Sequence, residues 1–149
     1  MGTPYTDIFD AYLNKVKDDL YVNMDAQELN IELIQILNSA LPRFLYPKID
    51  LTDRTSTEFV NVLTNEEIQI IATLMNLVWA ENQLSDIEVT RQVFRDHDFQ
   101  LTSQASHLRA LMGLKSDLKA SCRDLMQAYY KVEGRKPNFA GLAGGFDNA

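Results

Sequence analysis

The chain has 149 residues, 46% hydrophobic and 23% charged, with a formal charge of −7 and one cysteine. That balance excludes a disordered polypeptide, a domain of this size buries about 68–70% of the surface of its unfolded chain, and a lone Cys122 excludes an intrachain disulfide framework. The acid is unevenly spread: residues 1–100 carry seven Lys/Arg against seventeen Asp/Glu, a net of −10, and residues 101–149 carry seven against four, a net of +3, so the acidic body argues against nonspecific binding to nucleic-acid phosphates.

The start, Met1-Gly2-Thr3-Pro4-Tyr5-Thr6-Asp7, lacks the basic opening and apolar run of a signal peptide, and no stretch approaches the roughly 18 apolar residues of a membrane span. An intracellular origin is expected. Thr6 completes only part of a myristoylation signal, because basic neighbours and a second anchor are lacking.

A first helix is predicted from Thr6 or Asp7, with Thr6 as its cap, to about Leu20. Ile8, Phe9, Tyr12, Leu13, Val16 and Leu20 form one apolar face. Asp25 is placed to cap a second helix from Ala26, with Glu28 at the positive end of its dipole. Leu29, Leu33, Ile34, Ile36, Leu37, Ala40, Leu41, Phe44 and Leu45 cover more than half its circumference, which predicts burial centrally or from two sides. Pro42 should kink or restart this helix and Pro47 should end it. Between 49 and 62, alternating Ile49 and Leu51, the turn-like Thr52–Ser56 and the strand formers Phe59, Val60 and Val62 predict a small β-hairpin. A lone hairpin must lean on something else, so Phe59, Val60 and Arg54 are candidate subunit-interface residues.

Thr64-Asn65-Glu66-Glu67 is a capping box that opens a third helix to about Asn82, and Ser85-Asp86-Ile87-Glu88 is a second box that predicts a further short helix to about Arg95. A long final helix follows from Thr102 or Ser103. Leu108, Leu111, Leu118, Cys122, Leu125 and Tyr129 make its seam, with Lys115 at the missing position. After Lys131 the periodicity stops, and Gly134, Pro137, Gly141, Gly144 and Gly145 predict a flexible tail. The fold class expected is therefore mostly α: a bundle of about five helices over 1–131, a small β-hairpin near 49–62, and an extended Gly-rich tail over 132–149.

Reactive constellations are sparse. Asp96-His97-Asp98 has the residue types of a metal or proton-transfer site, but sequence neighbours rarely converge on one ion, and turn-and-cap chemistry explains them. His107 lies near Ser103 and Ser106 without nucleophile-elbow glycines. Cys122, Trp79 and the methionines fall on helical stripes and read as core. Gly141–Gly145 lacks the Lys-Ser/Thr of a phosphate loop, and the acidic residues lack calcium-loop spacing. No catalytic, metal or cofactor site is expected. In the tail, Phe139, Leu142 and Phe146, preceded by Arg135 and Lys136, have the composition of a segment that orders in a partner's groove.

Several stretches together resemble the small helical head-to-tail connector (neck or adaptor) proteins of tailed bacteriophages. They are Tyr5-Thr6-Asp7-Ile8-Phe9-Asp10-Ala11-Tyr12-Leu13, Leu63-Thr64-Asn65-Glu66-Glu67-Ile68, Leu74-Met75 to Trp79, and Asp98-Phe99 followed by Ser103-Gln104-Ala105-Ser106-His107-Leu108. The resemblance spans residues 5–130 and leaves out the tail. It implies a structural, noncatalytic virion protein made in the host cytoplasm. Such a protein forms a ring, commonly of twelve copies, between the portal protein and the tail or a second neck protein; DNA passes through without sequence-specific binding, and a C-terminal segment docks on the portal. An acidic body suits a channel that must not hold its cargo, and unequal charge suits a ring whose subunits meet through unlike surfaces. The alternatives are a small helical adaptor that binds one partner, and an enzyme built on Asp96, His97 and Asp98.

Overall fold

A computed structural model describes residues 1–16, 21–93 and 101–131. The chain is mostly helical: strand β1 (Thr3–Pro4), helix α1 (Tyr5–Leu13), helix α2 (Ala26–Ala40) continued by a 3-10 turn (Leu41–Arg43), strand β2 (Glu58–Phe59), and the long helices α3 (Asn65–Val93) and α4 (Leu101–Lys131). None of the described helices is long and apolar enough to cross a membrane.

The N-terminus is built into the fold. Thr3 pairs with Phe59 and Pro4 with Glu58 in an antiparallel ladder, and the buried Thr3 hydroxyl donates to the Asn61 carbonyl (3.3 Å) and accepts from the Leu63 amide (2.7 Å). Pro4, not Thr6, precedes the first helical turn, its φ of −67° already suited to a helix start. The Tyr5 amide finds the Thr57 carbonyl at 2.9 Å, so one helix-start donor is satisfied by the residue just before β2, and no side-chain cap forms. The helix ends at Leu13 instead of near Leu20. The hydroxyls of Tyr12 and Tyr21 meet at 2.7 Å, whereas a continuous helix would hold nine-residue neighbours about 13 Å apart along its axis and on opposite sides. That contact requires the chain to turn back.

Asp25 caps α2 as expected, its carboxylate accepting from the Glu28 amide at 2.8 Å, and Pro42 limits the helix to Ala40. The expectation that α2 is buried centrally or from two sides fails. It buries one face only, through Leu33, Ile36, Leu37 and Ala40, and leaves Ile31 57% exposed. The central element is α3, whose Ile70, Ile71, Ala72, Met75 and Ala80 are all fully buried. Helices α1, α2 and α4 all pack against it.

Both bonds of the Thr64 capping box form: Thr64 N to Glu67 Oε1 at 2.8 Å, and Glu67 N to Thr64 Oγ1 at 3.2 Å. The second box does not start a helix, because α3 runs unbroken through Ser85–Glu88 to Val93. Asn82-Gln83-Leu84-Ser85 contains neither Gly nor Pro, its polar residues cost only about 0.7 kcal/mol each or less inside a helix, and continuity keeps Leu84 beside Leu108 and Met112 of α4. Among the described residues the five expected helices are therefore four α-helices. Helix α4 runs antiparallel to α3, burying Leu111, Leu118, Cys122 and Tyr129 of the predicted seam; as the longest helix it was expected to have the others packed along it, but α1 and α2 pack chiefly on α3. At about 1.5 Å per residue the pair extends over roughly 45 Å.

The tight turn of the expected hairpin is present. Thr55 N donates to Glu58 O (2.8 Å), Val60 N donates to Asp53 O (3.0 Å), and Arg54 bridges Phe59. Its ladder partner differs, since β2 pairs with Thr3–Pro4 and not with the Ile49–Leu51 segment. Leu51 serves the core instead.

Candidate functional site

The most elaborate polar arrangement lies where α4 ends. Glu67, 2% exposed, uses Oε1 in the capping box and accepts at Oε2 from the Tyr129 hydroxyl (2.8 Å). That hydroxyl in turn accepts from the Lys48 amide (2.8 Å), while Lys48 Nζ donates to the Tyr129 carbonyl (2.9 Å) and sits 4.2 Å from the centre of the Tyr129 ring. One carboxylate thus ties the start of α3, the end of α4 and the segment after Pro47. Aromatic rings extend this knot: Phe44 packs edge-on against Tyr129 at 5.4 Å, Tyr129 against Tyr130 at 5.5 Å, and Tyr130 against Tyr46 at 6.3 Å. Tyr46 holds a left-handed φ of 56°, a conformation costing about 1–3 kcal/mol that persists only when its surroundings enforce it. Leu45 and Tyr46 present about half their surface to solvent beside the helix end from which residues 132–149 continue.

Further along the α3–α4 pair, Arg43 donates to Glu81 at 2.6 Å. This bond holds the Glu81 carboxyl below the usual carboxylate range, and the cations of Lys115 and Lys119 reinforce it. These groups border a groove of about 520 Å³ lined also by Leu84, Leu108 and Met112. A second groove, of about 510 Å³, lies between Lys15 of the α1 end, Thr73 and Asn76 of α3, and Leu118, Ser121 and Asp124 of α4. Both are shallow and framed by helix surfaces.

Most of the chemistry-bearing candidates fall beyond what the structure describes. Asp96, His97 and Asp98 lie outside the described residues, as do the tail candidates Arg135, Lys136, Phe139, Leu142 and Phe146. His107 and Ser106 are exposed on α4. Among the described residues no three His, Cys, Asp or Glu side chains are grouped to hold a metal ion. Burial pushes the Cys122 thiol up to about 11, so it remains protonated at neutral pH and acts as a small hydrophobe of the seam. Of the hairpin candidates, Phe59 is fully buried against the Tyr5 ring at 5.1 Å, which corrects its assignment to a subunit interface, because β1 covers it from within the same chain. Val60 is 46% exposed, and exposed Arg54 reaches Asn38 Oδ1 of α2 at 2.8 Å.

Sequence reasoning identified Glu67 as a cap and Tyr129 as a seam residue but not their bond. They stand 62 residues apart, and no local pattern signals such a pair. Thr3 carried no signal either, its partners being 58 and 60 residues away.

Burial raises the hydroxyl pKa values of Tyr12, Tyr129 and Tyr130, the last to about 12, and raises that of Tyr21 as well. Because the folded state favours the neutral forms, their contribution to stability is complete below the ordinary tyrosine value of about 10 and is lost as pH rises from there towards the folded-state values. Melting temperature should therefore fall steeply above about pH 10, with most of the tyrosinate absorbance appearing in step with loss of helix. More tyrosinate than the two remaining tyrosines, Tyr5 and Tyr46, can supply, forming well before the helices melt, would contradict the burial of these hydroxyls.

No protein-family model matches this sequence, and no curated protein or solved structure is significantly similar to it.

Proposed function

We propose that this chain is a noncatalytic assembly protein of a tailed-phage neck, one subunit of a ring between portal and tail through which DNA passes. The observation that carries this reading is the knot around Glu67, Tyr129 and Lys48: its hydrogen bonds fix the end of α4, from which residues 132–149 continue, and each is taken up by structural partners. A rigid launching point suits a C-terminal segment that docks on a partner, since fixing its root lowers the entropy still to be lost on binding. The resemblance of residues 5–130 to neck proteins supplies the phage context, and the net charge of −10 over residues 1–100 suits a lining that DNA passes without adhering.

The test is native mass spectrometry of the full chain with and without the portal protein of the same phage, beside a chain ending at Lys131. The expected result is a multi-copy complex on the portal that the shortened chain fails to form while melting at nearly the same temperature. A monomer that ignores the portal would refute the neck assignment. A one-to-one complex would make the chain a simple adaptor.

A further inference from the structure

Two outward helix faces on opposite parts of the sequence have matching designs. On α2, Glu28, Ile31 and Gln35 lie on one exposed stripe, with Ile31 57% exposed and Met24 40% exposed just ahead of it. Helix α2 contains Glu28 and Glu32 and no Lys or Arg. The nearest cation brought to this face is Arg54, which bonds Asn38 at its far end. On α4, Arg109, Met112, Ser116, Lys119 and Arg123 form an exposed stripe in which Met112 is 57% exposed. The described α4 acids nearest to it in sequence, Asp117 and Asp124, lie more than a quarter-turn round the helix. From α3 the described acid bordering it is Glu81, already bonded to Arg43.

Each stripe thus centres on an exposed unbranched or β-branched apolar side chain, flanked by acid in one case and by base in the other. An exposed apolar residue beside a charge suits contact with an oppositely charged surface, and Glu28 beside Ile31 complements the three cations around Met112. We propose that the α2 face of one copy docks on the α4 face of the next, Ile31 against Met112, with Glu28 facing the cations of Arg109 and Lys119. The two faces differ, so the contact is head-to-tail and repeats, closing into a ring or continuing as a filament according to the rotation it imposes. The proposal rests on the assembly reading above for its premise that copies associate, and adds which surfaces meet. Duplex DNA is the lesser candidate for the basic stripe: three cations around a methionine, on a chain of charge −7, are a weak phosphate-binding footprint.

Charge reversal tests it with the full chain. One variant carries Arg109→Glu and Lys119→Glu, the other Glu28→Lys and Gln35→Lys, all at exposed positions. In sedimentation at low salt the parent should self-associate, and each variant alone should do so about tenfold or more weakly. Mixing the two variants, or combining all four substitutions in one chain, should return association to near the parental value, because opposite charges face each other again. Circular dichroism and melting of each variant identify any that fails to fold, and the four-substitution chain then decides by itself. A parent that stays monomeric at every concentration, or association that reversal weakens but neither mixing nor combination restores, overturns the proposal. So does a basic stripe that binds duplex DNA while the chain remains single. Portal-dependent complexes that persist in variants unable to self-associate would leave the neck assignment standing and remove only this contact.

Discussion

Tyr129→Ala is expected to lower the unfolding free energy by about 4 kcal/mol, the cost of emptying a large aromatic site in a packed core. Tyr129 is 2% exposed and lies between the rings of Phe44 and Tyr130. Its loss also strands Glu67 Oε2 and the Lys48 amide, each of which bonds the phenol oxygen. For a domain of this size, each kcal/mol moves the melting temperature by about 2–4 °C, so the midpoint should fall by roughly 10 °C. Tyr129→Phe separates the two contributions: the ring remains, both hydroxyl bonds vanish, and about 2 kcal/mol should be lost through the unsatisfied carboxylate and amide. A Phe variant within about 0.5 kcal/mol of the parent in denaturant unfolding would show that the polar knot adds nothing to ring packing.

Gly2→Ala is the second. A Cβ at position 2 would stand 1.7 Å from the Phe59 carbonyl oxygen and 2.9 Å from that of Val60. Both obstacles are backbone atoms that cannot swing aside, so β1 must lift from β2. Lifting breaks the Thr3 and Pro4 pairing, exposes the fully buried Phe59 ring, and leaves the Leu63 amide without the Thr3 hydroxyl. The expected cost is about 2–3 kcal/mol, close to that of a buried amide left unsatisfied with some apolar exposure added. Amide hydrogen exchange localises it: Leu63 and Tyr5 should lose protection well before the centre of α3. Unchanged protection at Leu63 would mean that the strand tolerates the methyl group and that the close approach is not required. Thr3→Val, which keeps the shape and removes the hydroxyl, should reproduce the loss at Leu63 alone.

These two predictions fall on features of different legibility. The capping box at Thr64 and Glu67, the Asp25 cap, the stop at Pro42 and the seam of α4 were all readable, because each is a relation between residues within about one or two helical turns, where hydrogen-bond geometry and side-chain period are set by the local chain. The box at Ser85 is equally readable and has no effect, since a cap permits a helix start without forcing one, and no Gly or Pro interrupts α3 there. The candidate surfaces were half legible. Charge asymmetry between the two parts of the chain was visible in the sequence, but which of the apolar side chains stay uncovered was not, and Phe59 shows why: a strand former beside a turn became core because the N-terminus closes over it.

The sequence by itself determined that this is a mostly helical domain, where most helices begin, and that its acid and base are segregated. Only the tertiary structure decided what pairs with β2, where α1 stops, that α3 and not α2 is central, and that Glu67 fastens the end of α4. Helix starts and periods are encoded by neighbours along the chain, whereas strand pairing, burial and the Glu67–Tyr129 bond join residues dozens of positions apart, and which of many possible distant partners is chosen depends on the packing of the whole core.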